Sequence, residues 1–338
     1  MKLQFRHGLI AVLVAAPLVS CAAHGSQGLT EQARKHFQPI KAATTAASDK
    51  VELGRQLFFE PRLSKNGAIS CNSCHNLSTY GADNLPTSFG HDAQRGGRNS
   101  PTVLNAGLHV AQFWDGRAKD LTEQAKGPIL NPVEMAMPDE GAVVARLKSI
   151  PGYVEGFKKA FPDQAEPVSY QNMAVAIAAF ESTLVTPSRF DRFLEGDQTA
   201  LTTAERKGLK TFMDKGCVSC HSGPALGGNQ YMRFGIAKPY ANSQDLGRFE
   251  LTKVESDKHV FKVPSLRNID RTYPYFHDGG VWKLDEAVQV MGETQLGVTL
   301  TKEENAEIVA FLGSLTGDLK PDARKLPVLP PNGPETTL

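Results

Sequence analysis

The chain has 338 residues, with 37 Lys and Arg against 36 Asp and Glu, and a formal net charge of +1 at pH 7. This length suffices for about two domains with a core each. The balanced charge predicts no nucleic-acid partner, and beyond the first twenty residues the composition is that of a soluble, globular protein without biased tracts.

An export signal is predicted at the N-terminus. Lys2 and Arg6 precede an apolar run from Leu9 to Val19, which is too short to span a bilayer and is typical of a secretory signal. We therefore expect residues 1–21 to be a signal peptide and the mature protein to lie in the periplasm. The run ends at Cys21 in a sequence that resembles a bacterial lipobox, so Cys21 either carries a lipid anchor or is removed with an ordinary signal.

Helical patterns begin after a polar stretch. Residues 22–48 are rich in small and polar residues, and we interpret them as an N-terminal arm or tether. From Val51 to Phe59 the apolar residues recur at helical spacing and stop before Pro61. This pattern predicts a helix that leads into the next motif.

Two motifs of the form Cys-x-x-Cys-His carry the strongest chemical signal. Two thiols and an imidazole at this spacing attach a c-type haem: the sulfurs bond the porphyrin edge, and the following His reaches the iron. Zinc sites and thioredoxin-type sites also use Cys-x-x-Cys, but neither needs a His directly after the second Cys twice in one chain. We therefore predict two covalently bound haem c groups. Their attachment residues are Cys71, Cys74, His75, Cys217, Cys220 and His221.

Capping boxes predict two further helices. Thr202 with Glu205 precedes a helical pattern that runs to Met213 and leads into the second haem motif. Thr301 with Glu304 precedes the last apolar pattern of the chain. The second motif is thus approached by a helix, as the first one is.

The two halves of the chain carry an internal repeat. Phe113-Trp114-Asp-Gly116 aligns with Phe276-His277-Asp-Gly279, and the expected closing helices, Ala176 to Leu184 and Glu307 to Leu315, align in register. Each half is therefore predicted to repeat a helix, a haem loop, an aromatic-Asp-Gly turn, a short helix and a closing helix.

This repeat predicts a mainly α fold of two tandem class I cytochrome c-like domains, each holding one c-type haem. The N-terminal domain spans residues 49–186, the C-terminal domain spans 187–320, and residues 321–338 form a tail. Two long loops with little periodicity, Ser78 to Pro101 and Gly223 to Pro264, are expected at the interface between the domains.

The sixth coordination position of the second haem iron has a candidate ligand in Met291. This residue ends the short helix after the second Asp-Gly turn, and the repeat places Pro128 opposite it in the first half. A Met ligand raises the haem potential and suits electron transfer, whereas an open position suits peroxide or dioxygen. Met232 is a competing ligand, and a core methionine is the alternative interpretation of Met291.

For the first haem iron the candidates are His91, Met135 and Met137. His91 lies in a glycine-rich loop that is able to swing a side chain in or out. The alternative for this residue is a solvated loop histidine. The two haems are therefore expected to differ in their chemistry.

From about Asp49 to Gly317 the chain resembles the bacterial di-haem cytochrome c peroxidases. The resemblance rests on both haem motifs and on Thr87-Ser-Phe-Gly-His91, Asn99 to Asn105, Gln112 to Arg117, Gly127-Pro128, Pro132 to Met135, Tyr275 to Gly279 and Met291 to Leu296. It implies that the chain reduces hydrogen peroxide to water with two electrons from a small soluble donor, a cytochrome c or a cupredoxin. It also implies a homodimer.

The resemblance implies roles around the first, low-potential haem. His75 is its proximal ligand, and His91 caps it in the resting oxidised enzyme and leaves when the other haem is reduced. Glu134 is the distal acid/base with Gln124 beside it, and Trp114 lies between the haems and assists electron transfer. Without the resemblance, Glu134 would be interpreted as a solvated loop carboxylate and Trp114 as a core residue.

The resemblance also implies that His221 and Met291 ligate the second, high-potential haem, where electrons enter, and that His277 lies near its propionates. A calcium ion between the domains rests on the resemblance alone. Its implied ligands are Asn99, Thr272 and Pro274.

Two other functions stay open. One is a di-haem electron carrier in which both irons are permanently six-coordinate. The other is a related di-haem oxidase that modifies tryptophan on a partner protein. In that relative a Tyr takes the place of the distal Met, whereas this chain has Met291.

Overall fold

The fold is described from a computed structural model of the chain. It describes residues 28–41 and 48–336. The predicted signal peptide and Cys21 lie outside these residues. Within the described ranges, no helix is both long enough and apolar enough to cross a membrane.

The described residues are mainly helical. A first segment, α1, covers residues 28–34. The first half then contains α2 (Asp49–Phe58), α3 (Cys71–Cys74), α4 (Leu121–Leu130), α5 (Glu140–Lys148), α6 (Pro151–Ala160) and α7 (Tyr170–Glu181). The second half contains α8 (Arg189–Glu195), α9 (Thr203–Asp214), α10 (Phe249–Thr252), α11 (Leu284–Met291) and α12 (Lys302–Gly313), and α13 (Pro321–Arg324) follows. Two short strands, β1 (Tyr231–Arg233) and β2 (Val260–Lys262), pair antiparallel.

The predicted helix starts are confirmed. Thr202 Oγ1 accepts the Glu205 N–H at 3.2 Å, and Thr301 Oγ1 accepts the Glu304 N–H at 3.1 Å. Each Glu side chain also accepts the N–H of its Thr, so both capping boxes are complete. These caps fix where α9 and α12 begin.

In each half the entry helix crosses the closing helix at a glycine. A Cβ on Gly54 of α2 would lie 1.9 Å from the Ala176 carbonyl oxygen of α7. A Cβ on Gly208 of α9 would lie 1.9 Å from the Glu307 carbonyl oxygen of α12. The sequence alignment pairs Ala176 with Glu307, so the same helix crossing is repeated in the two halves.

The aromatic-Asp-Gly turns also repeat, at a constant spacing of 163 residues. Gln112 bridges to Ala118 in the first half, and Tyr275 bridges to Val281 in the second. Phe113 and Phe276 both have positive φ, at 67° and 71°. The sequence repeat is therefore a repeat of backbone conformation.

The N-terminal arm differs from a free tether. In its described part, residues 28–41, Ala33 and Phe37 are buried in the core of the second half. The Arg34 side chain donates to the Leu194 carbonyl at 2.6 Å. Phe37 packs edge-to-face on Phe190 of α8, with ring centres 5.4 Å apart, and the polar composition of the stretch does not predict this contact.

The C-terminal tail returns to the first half. Arg62 donates to the Pro330 carbonyl at 2.8 Å, and Arg55 donates to the Lys325 carbonyl at 3.1 Å. Thr336 donates to the Ser149 carbonyl at 3.0 Å. The described part of the tail is thus held by carbonyl hydrogen bonds rather than by a periodic apolar pattern.

An ion-pair network joins the two halves. Arg98, in the long loop of the first half, donates to Asp115 at 2.7 Å and to both carboxylate oxygens of Asp245 in the second half at 2.6 and 2.8 Å. The side chains of all three residues are less than one-fifth exposed. The loop predicted at the interface therefore contacts both halves.

Candidate functional site

The first haem motif forms one turn of helix. The Ser70 N–H donates to Ser73 Oγ at 3.0 Å, and the His75 N–H donates to the Cys71 carbonyl at 2.9 Å. Residues three apart lie on one side of such a turn, so Cys71 and Cys74 present their thiols together. Both thiols are free of disulfides.

The surroundings of this motif fit a covalent haem. Burial, and then the nearby Glu181 carboxylate, raise the pKa of the Cys71 thiol, and burial raises the pKa of Cys74 to about 11. Burial lowers the pKa of His75, whose Nδ1 is buried without a hydrogen-bond partner in the described part of the chain. A neutral imidazole is the form that ligates iron. Thioether bonds would remove the buried S–H groups.

The second motif holds its imidazole in a defined tautomer. The His221 N–H donates to the Cys217 carbonyl at 3.0 Å, and His221 Nδ1 lies 3.1 Å from the Leu226 carbonyl oxygen. Nδ1 therefore carries the ring proton, and the lone pair of Nε2 is free for a metal. Burial lowers the pKa of this histidine to about 4.

A cavity of about 230 Å³ opens beside the second motif. Its walls are mainly apolar and include Cys217, Cys220, His221, Met232 and Met291. Two thiols, an imidazole and thioether sulfurs around one apolar space are a donor set that fits haem c. Because both Met232 and Met291 line the cavity, the assignment of Met291 as the ligand stays a prediction.

The first half brings His91 and Glu134 together. The His91 N–H donates to the Val133 carbonyl at 3.1 Å and to the Glu134 carbonyl at 2.8 Å. The residue His91 is 9% exposed, and its Nδ1 is buried with no partner among residues 28–41 and 48–336. Its Nε2 lies 3.3 Å from an Asp92 carboxylate oxygen. The loop histidine therefore packs on the turn that carries Glu134, and it is not a solvated residue.

Glu134 is a partly buried carboxyl next to the first haem motif. Burial raises its pKa, while the Arg117 guanidinium and a hydrogen bond from Asn131 at 3.0 Å act in the opposite direction. Glu134 also acts on Cys74, whose pKa it raises. The carboxyl thus lies within electrostatic range of the haem attachment site.

The remaining candidates of the first half separate into two groups. Gln124 lies on α4, four residues before Pro128 and on the same helix face, and it is partly exposed. Met135 and Met137 are buried in the apolar core of this half. Their burial among core side chains favours a packing role for both methionines.

Arg117 is a site residue that the sequence analysis did not single out. Its guanidinium lies 3.5 Å from the centre of the Phe113 ring, pairs with Asp115 at 3.0 Å and lowers the pKa of Glu134. The repeat places Gly280 at the matching position of the second half. This difference between Arg117 and Gly280 is a sequence signal for a role of Arg117 that is confined to the first half.

Trp114 and its repeat partner His277 meet between the halves. Their ring centres are 6.3 Å apart in an edge-to-face arrangement. The indole N–H of Trp114 donates to the Asn99 carbonyl at 2.9 Å, and His277 is buried and stacks on Phe261 at 4.3 Å. Both residues line the cavity of the second motif. Trp114 therefore lies where the two halves contact each other.

The three residues implied for calcium also line this cavity. They are Asn99, Thr272 and Pro274. The Asn99 N–H donates to the His277 carbonyl at 2.7 Å, and its side-chain amide donates to the Leu85 carbonyl at 2.9 Å. The side-chain oxygen of Asn99 is then left as an acceptor. The calcium site stays a prediction.

Comparisons with known proteins place this geometry in a family. Residues 48–199 match the family described as di-haem cytochrome c peroxidase. The chain is 54% identical over 308 residues to a protein of Nitrosomonas europaea named cytochrome c551 peroxidase, a match that covers 90% of each chain. This chain belongs to the di-haem cytochrome c peroxidase family. The resemblance proposed from the sequence is thereby confirmed.

Two further proteins and one solved structure are also similar to this chain. A Pseudomonas aeruginosa protein, also named cytochrome c551 peroxidase, is 51% identical over 334 residues and covers 96% of this chain and 94% of its own. The methylamine utilization protein MauG of Methylorubrum extorquens is 34% identical over 340 residues, covering 96% and 95%. A crystal structure of a MauG-like protein associated with microbial copper homeostasis superposes with a TM-score of 0.75 at 28% identity, over 86% of this chain and 96% of that one.

Proposed function

We propose that this chain is a periplasmic peroxidase that reduces hydrogen peroxide to two molecules of water, using two protons and two electrons from a small soluble donor, a cytochrome c or a cupredoxin. The difference between equivalent positions in the two halves carries this proposal. The first half sets His91, Glu134 and Arg117 beside its haem motif, whereas the second half turns Met291 into its cavity. A protein that only carries electrons does not need a proton-transferring carboxyl beside one of its haem motifs.

The two halves are proposed to be cytochrome c-like domains, residues 49–186 and 187–320. The repeated helix crossing at Gly54 and Gly208 supports this division, as do the repeated turns. Haem bound at both motifs would relay the electrons from the donor and would supply the iron at which peroxide is reduced. His75 and His221 are the proposed proximal ligands, and Met291 is the proposed distal ligand of the second haem.

Glu134 is the proposed proton carrier. Cleavage of peroxide needs a proton moved from the near oxygen to the far oxygen, and a positioned carboxylate can accept it from one and give it to the other. The Asn131 amide holds one carboxylate oxygen at 3.0 Å. The Arg117 cation favours the ionised carboxyl, which burial disfavours. These opposing effects on the pKa of Glu134 suit a carboxyl that both accepts and donates a proton.

The path of electrons into the first half is proposed to pass Trp114. Its indole ring contacts His277, which lines the cavity of the second motif, and its N–H binds the Asn99 carbonyl. Pro101, two residues after Asn99, also lines the second cavity, and its carbonyl raises the pKa of His75. Trp114 and this stretch of chain therefore support a path between the second cavity and the first haem motif.

Several finer properties complete the proposal. His91 is the cap that leaves when the second haem is reduced, and a calcium ion held by Asn99, Thr272 and Pro274 ties the halves together. The protein is a homodimer. Export of the chain is supported by its N-terminal signal pattern, and mass spectrometry of the mature N-terminus distinguishes lipidation of Cys21 from its removal.

Peroxide consumption by the mature, haem-loaded protein tests the activity. With a reduced monohaem cytochrome or cupredoxin, the protein is expected to oxidise two donor molecules per peroxide. A variant with Cys71→Ser and Cys74→Ser, which cannot attach the first haem, is the matched control and should be inactive. No peroxide consumption by the wild type, even after pre-reduction and addition of calcium, rejects the proposal.

A further inference from the structure

Glu181, the last residue of α7, is a buried carboxyl that the proposed reaction does not use. Its side chain is among the most buried of the charged groups, with the residue 4% exposed. No hydrogen bond and no charged group in the described part of the chain acts on its pKa, which burial alone raises to about 8. An unpaired carboxylate in such a place is costly. The Glu181 carboxyl can therefore gain or lose its proton near neutral pH when a charge beside it changes.

This carboxyl lies next to the first haem attachment site. Cys71 packs against the buried apolar cluster that contains Phe180 and Leu184, the residues on either side of Glu181 in this part of the chain. The carboxyl also raises the pKa of the Cys71 thiol. The register of the closing helices pairs Glu181 with Leu312, which lines the cavity of the second motif together with Cys217. At equivalent positions, then, one half presents a carboxyl to its haem site and the other presents a leucine.

We propose that Glu181 is the proton-accepting group coupled to reduction of the first haem, ionised while that haem is ferric and protonated when it becomes ferrous. The inference goes beyond the peroxidase reaction and rests only on attachment of a haem at Cys71. The electron comes from the donor and goes to the iron. The proton comes from solvent to the Glu181 carboxylate and returns to solvent on reoxidation.

Electrostatics gives the direction of this coupling. Ferric haem carries one more positive charge than ferrous haem, so a nearby carboxylate in a low-dielectric site is stabilised by the ferric state and loses that partner on reduction. α7 packs mainly on α2, α4 and α5, and no acidic or basic side chain in the described part of the chain alters the pKa of Glu181. Cys71 is the titratable group that faces it, and a thioether bond removes its proton. The carboxylate that raises the pKa of His75 is that of Asp83, not that of Glu181.

Potentiometric titration of the haem-loaded protein at a series of pH values tests the proposal. Each haem is followed by its own absorption or EPR signal. In the wild type the midpoint potential of the first haem should fall with rising pH by up to one proton per electron, about 59 mV per pH unit, and the slope should fade above about pH 8. The second haem, with Leu312, serves as the internal control and should lack this component.

Two variants isolate the carboxyl. Glu181→Gln keeps its shape, and Glu181→Leu copies the second half. In both, the first haem should lose the slope, with a potential that equals the wild-type value at low pH and exceeds it at high pH. Glu123→Gln, on the exposed side of α4, is the matched control and should keep the wild-type slope.

The opposite result is a first haem whose pH slope is the same in the wild type and in both variants, and it overturns the proposal even if the variants are less stable. This failure is separate from failure of the peroxidase function. A protein with two haems and full peroxidase activity but an unchanged slope rejects only the role of Glu181. Mass spectrometry that finds the peptide containing Cys71 and Cys74 without a haem adduct overturns the proposal.

Discussion

Burial of Glu134 beside a haem motif sets a requirement on its protonation. A carboxyl that first accepts a proton from peroxide must be ionised, and burial raises its pKa. Activity should therefore be lost as pH falls through that raised pKa. Glu134→Gln should lower kcat/KM by about 10²–10⁴-fold and remove this acid limb of the pH profile.

Glu123→Gln is the control for that variant, because Glu123 is an exposed carboxyl in the same half, paired with Lys126 at 2.9 Å. It should keep both the rate and the pH profile of the wild type. If Glu134→Gln kept wild-type kcat/KM and the same acid limb, the carboxyl would not be the proton carrier.

His91 offers a second test at the residue scale. The His91 backbone N–H donates to the carbonyls of Val133 and Glu134. Its ring Nδ1 has no hydrogen-bond partner in the described part of the chain. His91→Gly removes the ring and should make the fully oxidised protein active without pre-reduction. The measurement is the initial rate of peroxide consumption before and after one-electron reduction. An unchanged need for reduction excludes His91 as the gate.

Residue types in fixed motifs were predictable, and long-range electrostatics were not. The haem motifs follow from five consecutive residues each, and Glu134 followed from its family context. Arg117 lowers the pKa of Glu134, and Glu181 raises the pKa of Cys71, although the two residues of each pair are not neighbours in sequence. Periodicity and spacing carry no signal for such contacts; only the difference between the repeats, Gly280 and Leu312 at the matching positions, pointed to them.

At the scale of elements, the glycine crossings have a measurable energy. Gly54→Ala or Gly208→Ala would push a methyl group into a carbonyl oxygen of the closing helix. Each should lower the free energy of unfolding by about 1–3 kcal/mol, as overpacking does. Gly313→Ala, which meets nothing within 4 Å, is the control and should be neutral or stabilising by up to about 1 kcal/mol. Equal effects of all three in chemical denaturation would remove the crossing as the cause.

The elements that were predicted are those with local signals. Capping boxes and apolar spacing located α9 and α12, and the interval of 163 residues located both turns. The short pair β1 and β2 and the helix α1 lacked such signals. The strands depend on pairing between segments about thirty residues apart, and α1 depends on packing of this segment against α8.

At the scale of the whole molecule, Arg98 joins the two halves. Removal of its guanidinium leaves the partly buried carboxylate of Asp245 without its cation, and a hydrogen bond to a charged group is worth about 1.5–3 kcal/mol. Arg98→Ala should therefore lower the stability of the haem-loaded protein by at least about 1.5 kcal/mol in denaturant titration. Arg192→Ala removes an exposed pair with Asp197 at 3.7 Å and should leave the stability close to that of the wild type. Similar small effects of both variants would show that the network does not hold the halves together.

The central claim is that the two haem sites are unequal, one reserved for electron entry and one opened for peroxide. The spin state of the half-reduced protein tests it most directly. After one electron per chain, absorption and EPR spectra should show the second haem reduced and low-spin and the first haem converted from low-spin to high-spin. Two haems that both stay low-spin at this stage, and a peroxide rate of zero, would identify an electron carrier and contradict the account.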